Sequence, residues 1–292
     1  MRPTACFMDG SRLAECPLWD WRRQRLLYLD LLDPWLIEYD PAARRVTRRR
    51  LALQPPLGGL CLRERGGYLV LDAQGVHAVS DRLDLMELVV APHPSFQQAP
   101  PNDAIPCPDG SLLVATAHRA ETEPVGGLYR LDFDLHWHAL ADGITVGNGP
   151  TFDAAGSTLY FADSPAGAIY ACAWDAARGS LAQRRLFATS AGGDLPDGMT
   201  LDATGCLWSA RWGGGKVLRY HSDGTLLQNL VVPERYVTSC VFGGSRLDTL
   251  FITTAHPAVV ERRVQASSTL ATARLYAVPA PVAGLPALAC AI

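Results

Sequence analysis

Ser157-Thr158-Leu159-Tyr160-Phe161-Ala162-Asp163, followed by the turn Ser164-Pro165-Ala166-Gly167 and then Ile169-Tyr170-Ala171-Cys172-Ala173-Trp174, reads as one β-hairpin. The same unit recurs on both sides of it. Arg25-Leu-Leu-Tyr-Leu-Asp30, Gly67-Tyr-Leu-Val-Leu-Asp72, Gly110-Ser-Leu-Leu-Val-Ala115, Gly205-Cys-Leu-Trp-Ser-Ala210 and Asp248-Thr-Leu-Phe-Ile-Thr253 each follow a Gly-, Ser- or Asp-bearing turn with an apolar run. Taking Leu27, Leu69, Leu113, Tyr160, Trp208 and Phe251 as equivalent, the copies are spaced 42, 44, 47, 48 and 43 residues apart. That period belongs to four-stranded propeller blades.

Six copies therefore predict an all-β fold, a six-bladed β-propeller with four antiparallel strands per blade. No long window carries apolar residues at i, i+3, i+4 and i+7, which argues against an α/β barrel or a doubly wound sheet and leaves a pair of β-sandwiches as the runner-up. Radial repetition needs no linker, because each blade buries its faces on its neighbours. Residues 1–292 are expected to form a single domain, closed by the N-terminal strand pairing with chain near Leu275 to Val282.

Composition narrows the function classes. The chain is 48% hydrophobic and 19% charged, an ordinary globular balance without the signature of disorder. A net charge of −3 provides no basic field for nucleic acid, and the cationic run from Arg44 to Arg50 reads as a solvated strand edge. No stretch has the roughly 18 apolar residues of a membrane span, and the first ten residues are too short and polar for a secretory signal. A cytoplasmic protein acting on a small molecule is expected, with no nucleic-acid or membrane partner, as a monomer or weak homodimer. The eight cysteines are scattered and never form Cys-x-x-Cys, so they read as buried thiols rather than zinc ligands or disulfides.

The residues that carry chemistry lie in turn-rich segments near the starts of repeat units. These are Glu15 in Leu13-Ala-Glu-Cys-Pro-Leu-Trp19, Asn148 in Val146-Gly-Asn-Gly-Pro150, and Asp197 in Leu195-Pro-Asp-Gly-Met199. If the fold gathers them, two carboxylates and an amide oxygen make a cage for a hard or borderline divalent cation. Each also has a plainer reading. Glu15 suits a surface carboxylate, Asn148 a left-handed turn, and Asp197-Gly198 a hairpin turn.

Taken together, eight blocks in order resemble the family that includes regucalcin, gluconolactonases and luciferin-regenerating enzyme. They are Ala14-Glu-Cys-Pro-Leu-Trp19, Pro101-Asn-Asp103 with Pro108-Asp-Gly110, Gly147-Asn-Gly149, Thr158-Leu-Tyr-Phe-Ala-Asp-Ser164, Pro196-Asp-Gly-Met-Thr-Leu-Asp202, Cys206-Leu-Trp-Ser-Ala-Arg-Trp-Gly-Gly214, Thr238-Ser-Cys-Val-Phe-Gly-Gly244, and Gly284-Leu-Pro286. The resemblance implies a six-bladed propeller with one divalent metal (Ca²⁺, Mn²⁺, Mg²⁺, Zn²⁺ or Fe²⁺) that in many members hydrolyses sugar lactones to aldonic acids. Carried over, Glu15, Asn148 and Asp197 match metal ligands, Asn102 matches a residue that contacts substrate, and Asp103 beside it is expected to bind substrate as well.

Two positions depart from the family pattern: Pro100 stands where an Arg is usual, and Ala104 where Asn-Asp is usually followed by Gly. Both bear on the substrate. In the reaction so implied, the ion polarises the carbonyl and activates water, and Asp197 is the candidate general base. The segment Ala117-His-Arg-Ala-Glu-Thr-Glu123 is expected to form the selective rim, with His118, Arg119 and Glu121 as substrate-binding groups; His256 is a further candidate at the channel mouth. The competing readings are an esterase or organophosphate hydrolase on the same cage, and a calcium-binding regulatory or scaffold propeller without turnover.

Overall fold

A computed structural model describes residues 2–8, 10–84, 86–190, 192–260 and 272–292. Among them the strands form six antiparallel sheets, the blades of a six-bladed β-propeller. The blades open with first strands Ala14–Asp20, Leu60–Arg63, Pro101–Pro106, Gly147–Phe152, Leu195–Leu201 and Tyr236–Gly243, here numbered blades 1 to 6. Each blade is a meander of neighbouring strands. Blade 6 departs from this, because its fourth strand is Thr4–Phe7, which pairs with Leu275–Pro279 as the sequence led us to expect. Blade 2 has a strand the sequence did not announce: Ala289–Cys290 joins Leu60–Arg63 in parallel as a fifth member.

The chain divides into two compact units. One comprises residues 1–51 and 191–286, and the other residues 52–190 and 287–292. In the first unit, Trp208, Val217, Val237, Phe242, Ile252 and Tyr276 form one core and Trp19, Leu26, Tyr28, Ile37 and Phe251 another. In the second, Leu113, Leu128, Phe152, Leu159, Phe161 and Trp174 pack together, as do Leu69, Leu71, Phe96, Val114 and Leu131. The strand reading Thr158–Asp163 explains this packing. Leu159 and Phe161 are fully buried, and so is Ala162 on the opposite face, so both faces of the blade are covered. Side chains the size of Leu159 and Phe161 contribute roughly 1.5–3 kcal/mol each by leaving water. All eight cysteines are free thiols and seven are buried.

Five first strands share one irregularity near their start. Register breaks between Glu15 and Leu18, Pro101 and Asp103, Asn148 and Thr151, Pro196 and Met199, and Val237 and Ser239. A proline lies within the break or at its edge in the first four (Pro17, Pro101, Pro150, Pro196), and without an N–H it cannot continue the ladder. Such bulges bend a strand and re-aim one side chain.

Candidate functional site

In the first unit the bulges of blades 1 and 5 carry Glu15 and Asp197, each only 7% exposed. Glu15 is thus no surface carboxylate. Cys16, at φ 52, turns the chain so that its own N–H donates to Glu15 Oε2. Asp197-Gly198 lies within a strand rather than at a hairpin tip, and Gly198 N–H donates to Asp197 Oδ1 at 3.0 Å. A Cβ on Gly198 would sit 2.8 Å from Ser239 Cα, so only glycine lets blades 5 and 6 close beside Asp197. The two carboxylates share an environment. Burial pushes the Cys240 thiol well up, and the charges of both Glu15 and Asp197 push it further.

In the second unit the bulges of blades 3 and 4 carry Asn102, Asp103 and Asn148. The left-handed residue in blade 4 is Gly149 at φ 56, while Asn148 itself is in the strand and 9% exposed. Asn102 Nδ2 donates to Asn148 Oδ1 at 2.7 Å and to the Gly147 carbonyl at 3.0 Å. Asn148 Nδ2 donates to Ser164 Oγ at 2.9 Å; because the Gly147 carbonyl can only accept, the Asn102 atom it meets is nitrogen and the Asn148 atom facing that nitrogen is oxygen. Asp103 accepts from Ala104 N–H at 2.8 Å and Gly149 N–H at 2.9 Å, bracing the two first strands, and burial pushes its carboxyl up to about 6.

The rim segment begins beside Asn102, since Ala117 N–H donates to the Pro100 carbonyl at 3.0 Å. His118 Nδ1 accepts from Glu123 N–H at 3.0 Å and folds the segment on itself, with Glu121 at φ 57. Arg119 is exposed and its Nε donates to the Gln97 carbonyl at 3.3 Å, so it leans over the turn that leads into Pro100. Glu121 is exposed. In the first unit His256 Nδ1 accepts from Ala258 N–H at 3.2 Å, and its own N–H donates to Arg12 O.

Behind the bulges of blades 1 and 4 a carboxylate clasps the incoming chain. Asp30, fully buried, accepts from Arg12 N–H at 2.9 Å and Leu32 N–H at 3.1 Å. Asp163 accepts from Thr145 N–H and Val146 N–H at 3.2 and 3.1 Å. In blade 5 the corresponding residue is Arg211, also fully buried, facing Asp194 at 3.9 Å and donating to the Tyr220 hydroxyl; Lys216 Nζ is 2.5 Å from Asp194. Sequence reasoning had missed Arg211, Asp194 and the supporting role of Ser164. The last was within reach, because Ser164 closes the Thr158–Ser164 repeat.

The donor set suits a hard divalent cation. Within the first unit two buried carboxylates lie around one thiol, and within the second the Asn148 amide is held by Ser164 at its nitrogen and by Asn102 at its oxygen, oxygen donors of the kind such an ion takes. Among the described residues no three His, Cys, Asp or Glu are grouped to hold a metal; the expected set contains only two such residues plus an amide.

A propeller whose repeated bulges carry Glu, Asn and Asp defines a recognisable class. The family described as SMP-30/Gluconolactonase/LRE-like region matches residues 13–256, and the chain belongs to it. It is 33% identical over 247 residues to the 6-deoxy-6-sulfogluconolactonase of Pseudomonas putida, covering 84% of each chain. It is 34% identical over 260 residues to the pentonolactonase XacC of Haloferax volcanii, covering 87% of this chain and 86% of that one. Among solved structures it resembles the calcium-binding protein regucalcin of Agrobacterium tumefaciens with a TM-score of 0.86 at 22% identity, over 99% of this chain and 97% of that one. Among the described residues no helix is long and apolar enough to cross a membrane.

Proposed function

We propose that the chain is a divalent-metal-dependent sugar lactonase, a hydrolase of carboxylic ester bonds that opens an aldono-lactone to its aldonic acid. The observation that carries this reading is the family match over residues 13–256, with relatives a third identical that bear lactonase names. Glu15, Asn148 and Asp197 hold the cation. Calcium is favoured by the oxygen-only donor set and by the calcium-binding character of the Agrobacterium relative. When bound, the ion supplies Lewis-acid polarisation of the lactone carbonyl.

The chain's own residues do the rest. Asp197, buried and held by Gly198 N–H, takes a proton from the attacking water as its oxygen bonds to the carbonyl carbon. The ring C–O bond then breaks, and the departing alkoxide recovers that proton from Asp197. Asn102, fixed by Gly147 and Asn148, orients substrate hydroxyls, with Asp103 stiffening the strand beneath it. Arg119, Glu121 and His118 line the outer rim.

The test is pH-indicator hydrolysis of γ- and δ-aldonolactones by chelator-stripped protein resupplied with Ca²⁺, Mg²⁺, Mn²⁺, Zn²⁺ or Fe²⁺. Restoration of turnover by one metal is the expected result. Tight Ca²⁺ binding with no turnover on any lactone would replace this reading with a binding propeller, and faster turnover of aryl esters would replace it with an esterase.

A further inference from the structure

The first unit has an apolar corner beside Asp197. Leu195, two residues before Asp197, pairs across the hairpin with Trp212, and in blade 6 the residue two before the equivalent bulge position Thr238 is Tyr236. The Trp212 and Tyr236 rings lie 4.8 Å apart at 52°, a tilted contact within the favourable range. Tyr236 is buried and backs the pair, while Trp212 is only half-buried. Beyond Trp212 the chain runs Gly213-Gly214-Gly215. Gly213, at φ 76, has nothing within 4 Å of where a Cβ would be, so the turn after Trp212 is open there, and Trp212 itself keeps part of its surface accessible. Gly215 N–H donates to the Arg235 carbonyl at 2.9 Å, tying the glycine turn to the segment that presents Tyr236. In blade 1 the position two before Glu15 is Leu13, also apolar and half-buried.

Around two of the proposed ligands, then, the same repeat position carries hydrocarbon rather than hydroxyl-binding groups. An indole face rewards C–H bonds and strands a hydroxyl that finds no partner. Resting on the lactonase reading, we propose that Trp212, backed by Tyr236, is a specificity wall that receives the C–H face of the lactone and selects substrates with a methyl where common aldonolactones carry a hydroxymethyl.

The experiment compares D-fucono-1,4-lactone with D-galactono-1,4-lactone, which differ only by that hydroxyl. The wild-type protein is expected to favour the deoxy lactone in kcat/KM by about tenfold. Trp212→Ala should bring the ratio near one, mainly through KM for the deoxy substrate, and Tyr236→Phe, which keeps the ring, should preserve it. A wild-type preference for the galactono compound would overturn the wall while leaving the lactonase reading intact, and this arm needs no variant to fold. An unchanged ratio in folded Trp212→Ala would also overturn it. Turnover of neither lactone with any metal would remove the lactonase reading and the wall together.

Discussion

Blades 1 and 5 hold their first strands by opposite charges. In blade 1 a buried carboxylate, Asp30, lies opposite the residue before Glu15 and accepts backbone N–H groups of the incoming chain, including that of Arg12, three residues upstream of Glu15. In blade 5 a buried guanidinium, Arg211, lies opposite the residue before Asp197, and the carboxylate has moved to the incoming chain as Asp194, three residues upstream of Asp197. Where the brace behind the bulge is charged, its sign is free; blades 3 and 6 carry the neutral Thr116 and Thr254 at the same position. The inverted version involves more side chains: Arg211 donates to Tyr220 and Asp194 also takes Lys216, whereas Asp30 uses backbone donors that are present anyway. A side chain bracing a side chain is the more breakable arrangement, because removing one partner leaves the other buried and charged.

The comparison can be broken in graded steps. Asp197→Ala is expected to lower kcat on the best lactone by about 10³-fold, with the fold intact by circular dichroism, since it removes a proton acceptor. Next comes the brace itself. Arg211→Met should cost about 3 kcal/mol in denaturant unfolding by leaving Asp194 with only Lys216. The double change Arg211→Asp with Asp194→Arg, which restores the arrangement of blade 1, should recover part of that loss.

Asp202 tests the other end of the same hairpin. Burial works to raise its carboxyl, but hydrogen bonds from Thr204, Trp208, Arg219 and Cys206 prevail, and it is held below the ordinary value of 3.8. Its contribution is therefore complete above that value and disappears as pH falls through the lower folded value. Asp202→Asn should cost about 2 kcal/mol at pH 7 and progressively less below pH 3.8. The smallest effect separates amide from carboxylate. Glu15 and Asp197 present two like oxygens each, whereas Asn148 presents one, on an amide that Ser164 holds at its nitrogen and Asn102 at its oxygen. Ser164→Ala should weaken metal binding by roughly tenfold in isothermal titration, with little change in melting temperature.

Blade count and strand order were legible because period-2 apolar runs and turns at intervals of 42 to 48 residues leave few alternatives, and the four residues at the bulges could be picked out because proline and glycine flank them. The braces were not legible. Asp30, Asp163 and Arg211 sit at one structural position, yet two are acids and one is a base, so no pattern of residue type marks it. The parallel strand Ala289–Cys290 escaped for a related reason. Two residues carry no periodicity, and their register depends on contacts such as Arg63 Nε donating to the Ile292 carbonyl, 229 positions away.

A residue placed on a bulge is released from the alternation that governs its neighbours. Below Glu15, Asn148 and Asp197 the hairpins resume regular pairing at Leu18, Thr151 and Met199, so the hydrophobic faces do not depend on what the bulge carries. Blade 6 already places Thr238 there, donating to the Ala14 carbonyl at 2.6 Å. Natural variation can thus exchange one group for another at the chemical positions without re-registering a sheet, which makes this architecture an accommodating starting point for new reactions.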